Sequence, residues 1–270
     1  MSEAKMAQMG EIDESNRQLR WLWESLAAWH PKGETVRYPG VTAAWCHAQW
    51  PLMNAVFIVS PVKDAGDLER RIQTAVEHGQ KRQRPWILAC CREWLPSGDE
   101  AQALEILNRY GLHEVMVNTG MVTEDVVPPA RAVGDLELRP VADVETRRAV
   151  ADINALSYEV PAEWGREVLE GKAVWRSNLF GCVGYVEGKA AATATTLVLE
   201  GIRYVALVAT LPEFRHRGYA EAVMRQSLEM ARRATGIKRT VLHASPMGKP
   251  SYERMGYGTV AAFGIYMLQH

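Results

Sequence analysis

The sequence predicts an α/β chain folded as two units of strands and helices, the second a meander of strands flanked by helices. Three observations predict it. The chain has 270 residues, more than the roughly 100 to 200 of a usual single domain. The segment Pro128–Asp135 (PPARAVGD) sets two prolines and a glycine between patterned stretches. After it, helical periodicity alternates with short apolar runs that end in turn signals.

In the second half a strand is expected over 136–141, a helix over 143–156 and another over 162–169. Strands Phe180–Val186, Ala191–Leu199 and Tyr204–Thr210 follow, joined by the turns Glu187-Gly188-Lys189 and Glu200-Gly201-Ile202. Beyond Gly218, Ala220, Met224, Leu228 and Ala231 recur at helical spacing until the stop signal Gly236. A strand Arg239–Ala244, a short helix Lys249–Met255 and a final strand pair near Gly258–Met267 complete the order β-α-α-β-β-β-α-β-α-β-β.

The first half reads less regularly. A helix Gln18–Trp29 precedes strands Val41–Ala48 and Asn54–Ser60. Then come a helix Asp67–Gln83, a strand Trp86–Cys91, a helix Asp99–Tyr110 and a strand Glu114–Val122. Seven of nine tryptophans lie before residue 95, which suits aromatic anchors in a core or interface rather than a catalytic array.

Composition excludes several classes. With 47% hydrophobic and 23% charged residues and no run near ~20 apolar residues, neither a membrane span nor a disordered chain is expected. A net charge of -1 provides no field for non-specific nucleic-acid binding. Cys46, Cys90, Cys91 and Cys182 have no CxxC spacing, so no metal site is expected. The N-terminus lacks the apolar core of a signal peptide. The expectation is a reduced, cytoplasmic chain.

The chemistry centres on Tyr204–Thr235, where a strand, a tight turn and an amphipathic helix succeed one another. Backbone N–H groups of such a turn, with the orphan donors and positive dipole end of the helix, make a cradle for an anion such as pyrophosphate. Gly218 lets the backbone approach closely, and Ala220 keeps the side chain small there.

Arg215-His216-Arg217-Gly218-Tyr219-Ala220 resembles the Arg/Gln-x-x-Gly-x-Gly/Ala signature of the GNAT superfamily of acyl-CoA-dependent N-acyltransferases. Leu242–Tyr257 (LHASPMGKPSYERMGY) resembles its later motif, a tyrosine four residues before Gly-Phe or Gly-Tyr. The resemblance covers about residues 134–270. It implies a GNAT-like mixed, mostly antiparallel sheet flanked by helices, with acetyl-CoA or another acyl-CoA as co-substrate. The pantetheine arm would lie between two splayed strands. Backbone groups of Val208, Ala209 and Thr210 would bond it, and the strand ending at Ser245 would supply the other side.

The resemblance places Tyr252 near the cofactor sulfur, where its hydroxyl could protonate the leaving thiolate; packing is the alternative reading. Relatives often take a base from a glutamate near the signature strand or from a water chain, yet Tyr204–Thr210 holds no carboxylate. The base stays unassigned: His243 reads equally as a core histidine and Glu200 as a solvated turn residue. Acceptor recognition would fall to Ser157–Trp175. There Tyr158, Trp164 and Trp175 could wall a pocket and Glu159 or Glu163 attract an ammonium group, and each also fits an ordinary core or surface role.

Residues 1–130 resemble a degenerate copy of the catalytic domain at 134–270, so the fold would be two pseudo-repeated domains. Asn54–Ser60 would match the cofactor strand, but Pro61–Gly66 lacks the signature and carries an aspartate that would repel phosphate. The function implied is transfer of an acetyl or other short acyl group to a primary amine of a small molecule or peptide. The alternatives are a CoA-binding sensor or scaffold, and a transferase of a larger acyl group. No nucleic-acid or membrane partner is expected, and a homodimer is left open.

Overall fold

In the computed structural model, residues 3–96, 100–130 and 133–269 are described. The predicted helix start at Asp99, and Arg131 and Ala132 of the predicted linker, lie outside the described residues. By their internal contacts the residues fall into two units. One comprises Met1–Met121, Ala244–Lys249 and Thr259–His270; the other comprises Val122–His243 and Pro250–Gly258.

The first half runs α1 (Glu3–Trp29), β1 (Glu34–Tyr38), β2 (Val41–Trp45), β3 (Asn54–Ile58), α2 (Ala65–Arg82), β4 (Ile87–Cys91), α3 (Glu100–Arg109) and β5 (Leu112–Thr123). The second runs β6 (Glu137–Pro140), α4 (Val144–Ser157), α5 (Ala162–Leu169), β7 (Leu179–Val186), β8 (Lys189–Leu199), β9 (Ile202–Thr210), α6 (Tyr219–Thr235), β10 (Thr240–Ala244), α7 (Lys249–Arg254) and β11 (Gly258–Leu268).

The repeat is explicit in the pairing. β1–β2 and β2–β3 are antiparallel and β3–β4 parallel; β7–β8 and β8–β9 are antiparallel and β9–β10 parallel. In each half a helix crosses between the parallel strands, as such a connection requires. Both halves therefore carry the mixed, mostly antiparallel sheet expected from sequence.

Four expectations are corrected. The chain ends in one strand, not a pair: β11 runs unbroken past Gly264, where a Cβ would meet the Tyr266 hydroxyl at 2.5 Å and its ring at 2.6 Å, so this glycine makes room rather than a turn. β1 was not expected. It is short and half-exposed, and closes onto β2 over Pro39 and Gly40, whose φ of 78° is readily reached by glycine. α1 extends to Glu3 through a polar stretch without apolar periodicity. The contact division falls at Met121/Val122 instead of within Pro128–Asp135, and β11 belongs to the first unit because residues 263–266 pair with β4.

The first unit's core gathers Trp45, Val56, Leu68, Ile72, Trp86, Leu88 and Tyr266. Cys90 and Cys91 are buried in β4, as expected, and burial pushes the Cys90 thiol up to about 12. The basic last turn of α2 is structural in part, since Arg82 Nε donates to Glu34 at 2.5 Å. No helix among the described residues is long and apolar enough to cross a membrane.

The N-terminus of α2 is filled from within. Asp64 caps it by accepting from the Asp67 N–H at 2.8 Å, and Asp67 accepts from the Lys63 N–H at 3.2 Å. The buried Arg71 closes the network: it donates to Asp67 at 2.6 Å, to the Ser60 carbonyl at 2.7 Å and to the Pro61 carbonyl at 3.1 Å.

Asp67 is consequently held well below the ordinary carboxylate range, chiefly by the Arg71 hydrogen bond and further by Lys63 N–H and Arg70. A depressed folded-state pKa contributes stability above the unfolded value of ~3.9 and loses it as pH falls toward the folded value. Asp67→Asn is expected to cost about 1 to 3 kcal/mol at pH 7. Denaturant melts should show this gap closing progressively below about pH 4; a gap of constant size down to pH 2 contradicts the assignment.

Candidate functional site

The site grows from an irregularity in β9. Thr193 of β8 faces Ala209 and Thr195 faces Ala206, so the single residue Ala194 opposes both Leu207 and Val208. Such a bulge leaves backbone groups outside the ladder and re-aims the strand. Leu207 sits at φ 52°, a left-handed conformation rare for a branched side chain. It is braced by Asn154 of α4, which donates to its carbonyl at 3.4 Å and to Val150 at 2.8 Å.

On its other side β9 pairs with β10 only over Arg203–Val205 against Thr240–Leu242. From Ala206 onward β9 is bulged against one neighbour and unpaired with the other. The Thr210 hydroxyl is buried and has no hydrogen-bond partner among the described residues.

Past Thr210 the chain turns through Pro212–Phe214 into the predicted signature. Arg215 Nε donates back to the Thr210 carbonyl at 3.2 Å. His216 at φ 64° and Gly218 at φ 86° both adopt left-handed backbone, the alternation that curls successive N–H groups into a concave nest. Gly218 is the N-cap of α6, and no side chain caps that helix. The contrast with α2 is direct: one repeat closes its helix N-terminus with carboxylates, and the other leaves it to the backbone of a glycine turn.

Each residue of the turn has a distinct position. Arg217 is exposed, lies 5.9 Å from the Phe214 ring and donates to the Glu213 carbonyl at 3.4 Å. Tyr219 is 1% exposed, and its hydroxyl donates to Asp135 at 2.6 Å. Its side chain anchors α6, so only its N–H can face a ligand. Ala220 opens the helix beside it. Val208 is half-buried and Ala209 packs in the core with Val150, Ile153 and Tyr185. Ser245 belongs to the other unit, where its carbonyl accepts from Gly248 and Lys249 at 3.0 Å.

A second cluster lies where β9 and β10 part. The Tyr204 hydroxyl is 2.9 Å from His243 Nδ1. Tyr252 of α7 stacks edge-on with Tyr257 at 6.2 Å between ring centroids, and Tyr257 in turn bonds Thr240 at 3.0 Å. Burial raises the phenols of Tyr204 and Tyr252, and Tyr158 raises both further. Burial pushes His243 down to about 3. The group thus stands uncharged at neutral pH.

Of the residues considered for acceptor recognition, Tyr158 is 47% exposed, while Trp175 packs inward with Nε1 donating to the Leu169 carbonyl at 2.8 Å. Trp175 is a core residue, and Glu200 occupies the β8–β9 turn at φ 47°. Asn154, Asp135 and the Leu207 bulge escaped sequence reasoning, since nothing at those positions signals a conformation or a partner distant in sequence. Among the described residues no His, Cys, Asp and Glu are gathered as for a metal ion.

Residues 154–260 match the family described as Acetyltransferase (GNAT) domain. This stretch is a GNAT domain. Its match takes in the bulged strand, the turn, α6 and Tyr252. Solved structures extend the fold over both halves. A GCN5-related N-acetyltransferase from Kribbella flavida is 18% identical, with TM-score 0.65 over 88% of this chain and 90% of its own. Another from Sphaerobacter thermophilus is 15% identical, with TM-score 0.59 over 86% and 78%. A tandem GNAT protein from the clavulanic acid biosynthesis pathway is 13% identical, with TM-score 0.53 over 94% of both chains. No curated protein matches the chain in sequence.

His243 of the GNAT domain should remain a neutral imidazole throughout the physiological range. Imidazole NMR shifts followed from pH 8 to pH 5 are expected to stay constant for this residue. A midpoint near its ordinary ~6.5 would show that the ring is solvated and available as a base.

Proposed function

We propose that the chain is an N-acyltransferase that moves an acetyl or other short acyl group from acyl-CoA to a primary amine. The observation that carries this reading is the uncapped α6 N-terminus behind the His216–Gly218 nest, set beside a β9 that bulges against β8 at Leu207 and Val208 and is unpaired with β10 beyond Val205, within a GNAT domain. Backbone N–H groups of residues 216–220 suit the pyrophosphate of acyl-CoA, and the freed groups of Val208–Thr210 suit its pantetheine amides.

In the reaction the amine lone pair attacks the thioester carbon; the C–N bond forms, the C–S bond breaks, and the thiolate takes a proton. We assign that proton to Tyr252. A phenol raised by burial keeps its proton at neutral pH, and the phenolate left behind is restored by the proton the new amide sheds.

The first unit takes no cofactor in this reading, because Asp64 and Asp67 set two carboxylates at the start of α2 and take up the Asp67 and Lys63 N–H groups. Its role is structural, and the catalytic domain is the second repeat.

Calorimetry with acetyl-CoA on the full chain is expected to give one site. Gly218→Glu should abolish binding by setting bulk and negative charge against the nest. A second bound molecule, or unimpaired binding by the variant, contradicts the assignment. Binding without thiol release to any amine would indicate a CoA sensor or scaffold.

Tyr252→Phe should leave acetyl-CoA affinity unchanged and lower turnover about 100-fold, the lower end for general acid catalysis because a thiolate leaves readily. Wild-type turnover with chemistry rate-limiting would make Tyr252 a packing residue, and equal losses of binding and rate would indicate pocket damage.

A further inference from the structure

Two side chains of α4 hold the backbone of β9, one at its bulge and one three residues beyond, an arrangement whose meaning rests on the proposed acyl transfer. Asn154, 1% exposed, donates through Nδ2 to the Leu207 carbonyl at 3.4 Å and to the Val150 carbonyl at 2.8 Å. Both partners are carbonyls, so the amide N–H groups and not Oδ1 must face them. One N–H fixes the side chain to its own helix, and the other reaches the strand. Three residues on, the Ser157 hydroxyl donates to the Thr210 carbonyl at 3.4 Å. We propose that Asn154 and Ser157 are positioning residues for the acyl donor, selecting the bulged form of β9 and thereby setting the Val208–Thr210 backbone groups that take the pantetheine amides.

Along a regular strand successive carbonyls point to opposite edges, so those of residues three apart diverge. Leu207 at φ 52° breaks this alternation. The carbonyls of Leu207 and Thr210 both come within reach of one face of α4, where positions three apart lie together. A strand in regular register would turn one of them away. Each contact is long and worth little alone. As a pair they interact with one backbone form and not the other, which is what shifts a conformational balance.

The first repeat has the same grip on a strand without a bulge. Asn16 of α1, 2% exposed, donates to the Ile58 carbonyl at 3.4 Å. Ile58 is the first residue past the parallel ladder with β4, which ends at Phe57, and it pairs with Val41 in an unbroken register. The parallel ladder of β9 ends at Val205, and the gripped residue is the second past it, Leu207. The grip has moved by the one residue that the bulge inserts. An asparagine thus secures a strand end in both repeats, but the secured residue is left-handed in the repeat that carries the glycine nest and not in the other. Val208, between the two held carbonyls of the second repeat, stands in the two-against-one step.

The test is calorimetry with acetyl-CoA on the full chain. Asn154→Leu keeps the branched shape and removes both N–H groups, and affinity should fall about 10-fold. Ser157→Ala should cost about threefold, the worth of one ordinary hydrogen bond, since Arg215 still donates to the Thr210 carbonyl. Adding Leu207→Gly to Asn154→Leu should restore affinity to within about threefold of wild type, because glycine adopts positive φ without a brace. A packing defect would instead be compounded by a second truncation. Amide exchange of the ligand-free Asn154→Leu chain should quicken at residues 207–210 and stay unchanged at 216–220. Wild-type affinity in both single variants, or a loss that Leu207→Gly fails to relieve, overturns this inference and leaves the acyl transfer standing. If Asn154→Leu does not fold, undiminished affinity in Ser157→Ala overturns it alone. A wild-type chain that does not bind acetyl-CoA counts against both.

Discussion

β9 cannot satisfy both of its neighbours, and the arrangement of the second unit follows from how it departs from each. Its ladder with β10 stops at Val205, and its ladder with β8 is broken by the two-against-one step at Leu207 and Val208. Backbone N–H and C=O groups are obligatory hydrogen-bonding groups, so where β9 bulges from β8 and runs past β10 the freed groups need other partners. Asn154 supplies one and Ser157, whose hydroxyl lies 3.4 Å from the Thr210 carbonyl, another. Acyl-CoA amides are the partners proposed for the remainder. Holding Leu207 at positive φ costs of order 1 to 3 kcal/mol, a strain that persists only where surrounding packing enforces it. α4 and β8 do so here.

The two repeats show how the same topology is used differently. Each has three antiparallel strands, a crossover helix and a parallel strand. In the first, β2 and β3 keep an unbroken register and α2 begins under two aspartates. In the second, the register breaks and α6 begins at a glycine. A carboxylate at a helix N-terminus satisfies the donors that a bound phosphate would satisfy. The first repeat thus has its anion built in and braced by Arg71, which suits a structural element.

Much of the site was legible because its residues announce backbone requirements. Gly218 stands where positive φ is needed, and the apolar period of α6 fixes where the helix starts. The meander of β7, β8 and β9 was legible from Gly188 and Gly201, both at φ 77° in their turns. The bulge was not, because Leu207 looks like any strand leucine and its conformation is imposed by partners about 50 residues away in sequence. Tyr219 was legible as part of a motif but not as an anchor, since Asp135 lies 84 residues earlier. The single strand β11, expected as a pair, was hidden for the opposite reason. A glycine can serve a turn or a close contact, and only the position of the Tyr266 ring distinguishes the two.

In the proposed function, backbone groups of the bulged strand and the glycine nest, not a set of charged side chains, hold acyl-CoA. Amide hydrogen exchange measured on the full chain with and without acetyl-CoA addresses those groups directly. Protection should appear at residues 207–210 and 216–220 and be absent at residues 61–67, where the Lys63 and Asp67 N–H groups are already bonded to the Asp67 and Asp64 carboxylates and that of Val62 to the Trp94 carbonyl. Unchanged exchange at 207–210 and 216–220 under saturating acetyl-CoA, or protection confined to 61–67, would contradict the account.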